Sequence, residues 1–498
     1  MNVNPITRLD YPDPDVIRVE DTYYMVSTTM HFMPGCEILQ SFDLMHWEHV
    51  TYVYETLDHT DAQQLKSGQN IYGQGMWAAS LRYHEGRFCI CFVANDTRKT
   101  YLYTSEKIDG PWKKQLIEGF YHDGSLLFDE DGRNYIVYGN DEIWITELNE
   151  DLTAPKKDGL HRLLVSDHKN PELGYEGSHI QKINGYYYIF LIHSLRDRWM
   201  RTEACFYSDS LEGEFTGGDV LCDDRGYCGQ GVAQGGIVDT PDGKWYAMLF
   251  QDSGAVGRIP ILLPVTWKDH FPFFGQNGHV PEEIEVHSTR PGYIYQPLVG
   301  SDDFCKGLLP RWQFNHDPDP RYYHLDALQG TYTITTREVC TELTQAVNTL
   351  TQRMSYPSCA AEVTVDASAL KEGDVAGLCA LQSCYAAVGI TKHHGKYEVL
   401  MLDKKEDGIL DMTEGTVVES HQMDFRLEAD FCNMKDEARC YYRVNKGDWL
   451  PIGTVHKLYF KLDHFTGCRF GLFCYAAEET GGSACFRDFK YYDVDEIS

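Results

Sequence analysis

HDGSLLFDEDGRNYIVYG, residues 122–139, reads as a short apolar strand, a polar turn ending in Asp-Gly, and a second strand rich in aromatic and β-branched residues. Asp-Gly between alternating apolar runs is a strong local hairpin signal. The same plan recurs on both sides of it, in turns and second strands at EDTYYMVS (20–27), HEGRFCICF (84–92), INGYYYIFL (183–191) and PDGKWYAMLF (241–250). Fainter echoes, SFDLMHW (41–47), TSEKIDGPW (104–112) and YSDSLEGEF (207–215), read as outer strands closed by an aromatic. Units of about four short strands returning every 46 to 64 residues predict a five-bladed β-propeller over roughly the first 295 residues.

Alignment of the units on their turns picks out one position in each. Counting back nine residues from the turn glycine gives Trp77, Asp123, Glu176 and Gln234, and counting back eight from Asp21 in the first unit gives Asp13. Each opens the innermost strand of its blade, so the five are expected to ring one mouth of the central channel. Asp13 and Asp15 sit among prolines in YPDPDVI, which keep the entering chain extended. Asp15 shares the face of Asp13 and is expected deeper in the channel or solvated.

Three carboxyls crowded at one mouth are costly unless they are used. A protonated and an ionised carboxyl flanking a bond are the equipment of glycoside hydrolysis, and a third can tune the acid. Trp77 adds a face on which a sugar ring can stack, and calcium ligation is the rival use of clustered oxygens.

The whole chain limits the alternatives. At 498 residues it has room for two to four domains, and its 24% of charged residues includes no low-complexity tract. A net charge of −31 repels nucleic acid and anionic membrane and favours neutral partners. No apolar stretch approaches a membrane span and the first residues carry no secretory pattern. The sixteen cysteines are scattered, often within apolar runs, without CxxC or zinc-ligand spacing. Reduced thiols in a cytoplasmic protein are expected.

The segments YPDPDVIRVEDTYYMVSTT, FMPGCEILQSFDLMHW, MWAASLRYHEGRF, HDGSLLFDEDGRNY, YEGSHIQKINGYYY and QGGIVDTPDGKWYAMLFQDSGAVGRIPILLPVTW resemble, in order, glycoside hydrolase family 43. Its members include propeller β-xylosidases and α-L-arabinofuranosidases. The resemblance implies an inverting mechanism with Asp13 as general base, Glu176 as general acid and Asp123 as the residue that tunes and orients the acid. The carboxyls of base and acid are then expected roughly 6.5–9.5 Å apart. Arg258 resembles the family's pocket arginine, and Trp77 is expected to wall the pocket. MHFMPG (30–35) is expected to cap its rim, with His31 and Phe32 touching substrate. His179 and His193 are expected to be structural. Two departures stand out: Asp15 replaces a common serine, and Gln234 replaces a histidine often associated with bound calcium, so calcium ligation there is in doubt. Gln234 remains able to bond a sugar hydroxyl.

After RPGYIYQPLVG (290–300) the hairpin repeat stops, and cleanly alternating strands predict an antiparallel β-sandwich of the jelly-roll kind over 296–498. It resembles the concanavalin A-like domain of family 43 xylosidases, whose implied role is to pack on the propeller and shape the pocket mouth. SDDF (301–304) and FRDF (486–489) are candidates to meet at a structural Ca2+. The combined reading is an all-β, cytoplasmic exo-glycosidase that needs no cofactor. It would release terminal β-D-xylose from xylo-oligosaccharides and α-L-arabinofuranosyl units from arabinoxylan fragments. The alternatives are an arabinan- or galactan-directed enzyme of the same fold and a non-catalytic sugar-binding propeller. A homo-oligomer is left open.

Overall fold

The computed structural model describes residues 3–413 and 415–493. Five four-stranded antiparallel sheets follow one another along the chain. Their inner strands are Asp15–Val19, Met76–His84, Ser125–Phe128, Glu176–Ile183 and Ala233–Asp239, and the fifth blade ends at Phe271–Phe274. These are blades 1 to 5, and the helical content of the described residues is limited to 3-10 turns. The aromatic second strands explain why the blades hold together. Tyr23, Phe92, Tyr135, Ile189 and Leu249 are buried between neighbouring sheets, and five apolar clusters fill the five inter-blade seams. Full burial of one such side chain contributes about 1.5–3 kcal/mol.

No strand is exchanged between blades 1 and 5. The entering segment closes the ring instead. The Asn4 amide donates to the carbonyls of Leu262 (2.7 Å) and Pro281 (3.0 Å), and the Tyr11 N–H donates to the Arg258 carbonyl at 2.9 Å.

The C-terminal part is the expected sandwich, a nine-stranded sheet facing a seven-stranded one across the largest apolar core. The boundary expected at 295/296 falls in a connecting segment between Phe274 and the first sandwich strand, Gln313–Asn315. In that segment Tyr293 and Tyr295 pack on Phe42 of the propeller. Phe32–Met33, expected at the pocket rim, instead pairs with Phe314–Asn315 as an edge strand of the nine-stranded sheet. Phe32 lies under the Arg469 guanidinium at 3.4 Å, and His31 is buried among Tyr72, His316 and His464. The expectation that His31 and Phe32 touch substrate is therefore corrected. They weld the two domains together. SDDF and FRDF do meet, through a main-chain bond from Asp302 to Phe489 at 2.9 Å. The Asp302 carboxylate there accepts the Trp312 indole N–H at 2.8 Å, so it serves the sandwich core.

Candidate active site

Each blade enters its inner strand through one residue in the left-handed region: Asp13 (φ 52°), Ala78 (37°), Asp123 (47°), Gly177 (64°) and Gln234 (58°). Two residues further on, Asp15, Ser80 and Ser125 each accept a main-chain N–H from the next blade. The donors are Leu81 (2.7 Å), Leu126 (3.2 Å) and Ile180 (3.0 Å). This repeated bond defines which positions are equivalent, and it shifts the alignment made on turns. The inner hairpins of blades 1, 2 and 4 close over two residues (Val19 opposite Thr22, His84 opposite Arg87, Ile183 opposite Tyr186). Those of blades 3 and 5 close over five (Phe128 opposite Asn134, Asp239 opposite Trp245). A constant count of nine therefore lands one residue early in blades 2 and 4. Trp77 and Glu176 are the counterparts of His122, whereas Asp13, Asp123 and Gln234 are counterparts of one another.

Below this ring the channel is shut. Asp15 is wholly buried, ion-paired to Arg82 at 2.7 Å and bonded to His179 Nδ1 at 3.1 Å. Arg82 also donates to Ser125 Oγ (2.7 Å) and to the carbonyls of Leu126 (2.9 Å) and Ile180 (3.2 Å). Of the two places expected for Asp15, the deeper one is correct. His179 and His193 are structural as expected, the latter bonded to Asp219 at 2.8 Å. A protein cation already bridges four blades here, so the residues do not fit a calcium ion in the channel beneath Gln234.

Above the plug, Asp13, Trp77, Asp123, Glu176, Gln234 and Arg258 line a single cavity of about 200 Å³. His122, Leu173, Trp199 and Arg201 complete its propeller wall, and Leu462 and Phe465 reach in from the sandwich. Phe465 meets Trp77 edge-on at 5.1 Å and covers the Arg258 guanidinium at 3.7 Å. Its loop is tied down by Asp10, whose carboxylate accepts the N–H groups of Arg258 (2.8 Å) and Gly467 (2.7 Å).

The carboxyls have different surroundings. Asp13 accepts hydrogen bonds from Thr28 Oγ1 (2.5 Å) and Arg258 Nη1 (2.6 Å), which fix the direction of its carboxyl. Asp252 lies between Arg258 and Arg201 and binds both guanidinium groups. Asp123 accepts the Gly177 N–H at 3.0 Å. Burial pushes its pKa up to about 6, opposed by His122 and reinforced by the charges of Glu176 and Asp13. Glu176 Oε2 accepts the Asn140 amide at 2.7 Å and lies 3.5 Å from His122 Nε2. Burial raises the pKa of Glu176, but hydrogen bonding and charge from His122, with Arg201 and Arg258, outweigh it and hold the group below its usual range. Burial lowers the pKa of His122, yet Asp123, 3.6 Å away, and Glu176 drive it up to about 9. The like-charge push on Glu176 expected from Asp123 is thus overridden by an imidazolium that the turn count passed over. At neutral pH the labile proton of the trio sits on His122, since Asp123 has lost most of its own above about 6.

Donor atoms of His122, Asp123 and Glu176 lie within 4.8 Å of one another, close enough for a cation to bridge them. A ligated Glu176 cannot also carry a proton, so the acid–base and metal-binding uses of the trio exclude each other.

Of the residues missed, His122 could have been found by allowing for turn length. Arg201 and Trp199 open a third strand, where the hairpin repeat gives no register. Leu462 and Phe465 come from another domain and have no local signature.

A propeller whose blades bring three carboxyls and two guanidinium groups into one small cup has the architecture of a glycoside hydrolase. Comparison with known proteins agrees. Residues 3–272 match the model of glycosyl hydrolases family 43, and residues 301–492 match the β-xylosidase C-terminal concanavalin A-like domain. The chain belongs to family 43 of the glycosyl hydrolases. A β-xylosidase of Formosa agariphila is 26% identical over 99% of this chain and 89% of its own. A solved bifunctional GH43-CE of Bacteroides eggerthii superimposes with a TM-score of 0.92 at 42% identity; it covers all of this chain, which spans 64% of that longer one. Another solved structure, a GH43 glycoside hydrolase engineered to display both endo-xylanase and exo-arabinofuranosidase activity, has a TM-score of 0.86 at 27% identity over 99% of both chains.

Proposed function

We propose that the protein is an inverting exo-glycosidase that removes terminal β-D-xylosyl units from xylo-oligosaccharides, with α-L-arabinofuranosyl units as second substrates. The observation that carries this reading is the blind cup. It is closed below by Asp15 and Arg82 and narrowed above by Phe465 and Leu462. Its volume of about 200 Å³ is below the roughly 300–1,000 Å³ of pockets for drug-sized ligands. It suits one terminal sugar ring and offers no way through for a chain.

In this reading the terminal ring stacks near Trp77 and Phe465, and Arg258, Arg201 and Gln234 bond its hydroxyls. Asp13, aimed by Thr28 and Arg258, takes a proton from water on one face of the ring. Glu176 gives a proton to the leaving oxygen on the other. Substrate excludes water from the cup, the proton held by His122 passes to Glu176, and Asp123 keeps Glu176 in line through Gly177. No step needs a cofactor. A cytoplasmic location belongs to the same proposal, with sixteen unpaired thiols as its support.

The test is proton NMR of fresh digests of xylobiose and of aryl xyloside and aryl arabinofuranoside. The α-anomer of xylose appearing first supports inversion, and first appearance of the β-anomer refutes it. Xylobiose turnover that persists unchanged in Glu176→Gln removes Glu176 from the acid role.

A further inference from the structure

Glu203 lies in the third strand of blade 4, Arg201–Ser208, wholly buried, and no step above uses it. One carboxyl oxygen, Oε2, accepts the Gln234 N–H at 2.7 Å, while Oε1 is buried without a hydrogen-bond partner. Among the described residues no cation forms an ion pair with it. A buried carboxylate lacking a counter-ion takes up a proton instead. Burial accordingly lifts its pKa well above the usual carboxyl range.

The bond to Gln234 falls at a sensitive place. Gln234 is one of the five left-handed entry residues, a backbone that disfavours a side chain by roughly 1–2 kcal/mol. Its Cγ and Cδ fill the space a side chain on Gly177 would need, 2.6 and 2.7 Å from that ideal Cβ position. Gly177 follows Glu176 and donates its N–H to Asp123. The peptide carrying Glu176 is therefore gripped by Asp123 on one side and Gln234 on the other, and only Gln234 depends on Glu203.

We propose that Glu203 is a positioning residue for the acid: as a neutral carboxyl it anchors the Gln234 backbone, whose side chain buttresses Gly177 and sets the direction of Glu176. This rests on the reading of Glu176 as general acid. It predicts a fault confined to leaving-group protonation, because binding of the terminal ring does not pass through Gly177.

The experiment compares kcat and KM on xylobiose, whose alcohol leaving group needs a proton, and on 2,4-dinitrophenyl β-xyloside, whose phenol leaves without one. Glu203→Gln retains an acceptor and neutrality and should stay within about twofold of the parent on both substrates. Glu203→Leu should lose about a hundredfold in kcat on xylobiose but less than about tenfold on the dinitrophenyl substrate, with KM held. Gln234→Gly accepts the left-handed backbone and keeps its N–H but lacks the buttress and the bond to the ring; the lost bond weighs equally on both substrates, so kcat should still show the split even if the leucine variant does not fold. Equal losses on the two substrates in these variants, or Glu203→Gln as impaired as Glu203→Leu, would overturn the proposal. Glu176→Gln is the benchmark. If it shows no split, the acid assignment itself fails; if it splits and Gln234→Gly does not, the role of Glu203 alone fails.

Discussion

Replacement of His122 by glutamine should move the alkaline limb of the pH profile of kcat/KM, and the structure sets the direction and scale. Below about pH 9 His122 is an imidazolium beside Glu176. It therefore stabilises the carboxylate and works against the protonated form that catalysis needs. The charges are 3.5 Å apart, which at an effective dielectric constant of 20 corresponds to about 332/(20 × 3.5), or roughly 4.7 kcal/mol. Divided by 1.36 kcal/mol per unit, that is an upper bound of about 3.5 pH units on the rise in the Glu176 pKa. The His122 side chain is 22% exposed, and water entering beside the smaller glutamine solvates the carboxylate and returns part of the gain. Glu176 nonetheless remains a weaker base than the imidazole it replaces as proton holder, so the limb, set in the parent by loss of the shared proton from His122 at about 9, should move toward acid by about one unit or more. The assay is initial-rate kcat/KM on xylobiose from pH 4 to 10, where the alkaline limb reports the essential acid of the free enzyme. An alkaline limb that stays put, or that shifts toward base, would refute the assignment of His122 as the group that holds the proton for Glu176.

Other expectations follow from contacts already described. Phe465→Leu should lower kcat/KM about tenfold, the equivalent of a desolvated cation–π contact, with the melting temperature nearly kept. Gly177→Ala puts a Cβ 2.6 Å from Gln234 Cγ on a left-handed backbone (φ 64°); kcat should fall about a hundredfold while KM changes little, measured on xylobiose. Asp10 tests linkage. Burial raises its folded-state pKa from 3.8 to about 6, so its contribution to stability is fully present below about pH 4 and is lost as pH rises through 6. Relative to Asp10→Asn, the parent should lose about 3 kcal/mol over that window, from 2.2 units at 1.36 kcal/mol each. Parallel melting curves at pH 4, 5, 6 and 7 check this, and a constant difference between the two proteins would contradict it.

The propeller was legible because each blade is built locally. A turn with Asp, Asn or Gly, an aromatic second strand and a polar third turn lie within about fifty residues, and burial between blades requires the same apolar pattern five times. The sandwich was legible from alternation, and its packing on the propeller was implied by the family resemblance, but the residues that make the contact were not legible. Phe32 pairs with Asn315, and Phe465 reaches Trp77 across nearly four hundred residues; such contacts have no period and no motif. Local reading therefore placed MHFMPG over the nearby pocket, whereas the edge of a distant sheet holds it.

The site failed at one point, and the failure has a physical cause that extends to function. A turn of two residues and a turn of five present the same Asp-Gly or Asn-Gly signal while feeding the inner strand from different distances. The bond from Ser125 Oγ to the Ile180 N–H ignores the turn and fixes blade 4 to blade 3 directly. Read by that bond, the residue just before the left-handed one is proline in blade 1, tryptophan in blade 2, histidine in blade 3, glutamate in blade 4 and alanine in blade 5. Blades 3 and 4 thus bring a base of high pKa and a carboxylic acid to matching places on adjacent sheets, with Asp123 one residue inside them. A proton shared between such neighbours needs no large motion to reach the leaving oxygen. The left-handed entry residue makes this arrangement stiff, since it aims the preceding side chain into the cup while the strand beyond is locked to the next blade.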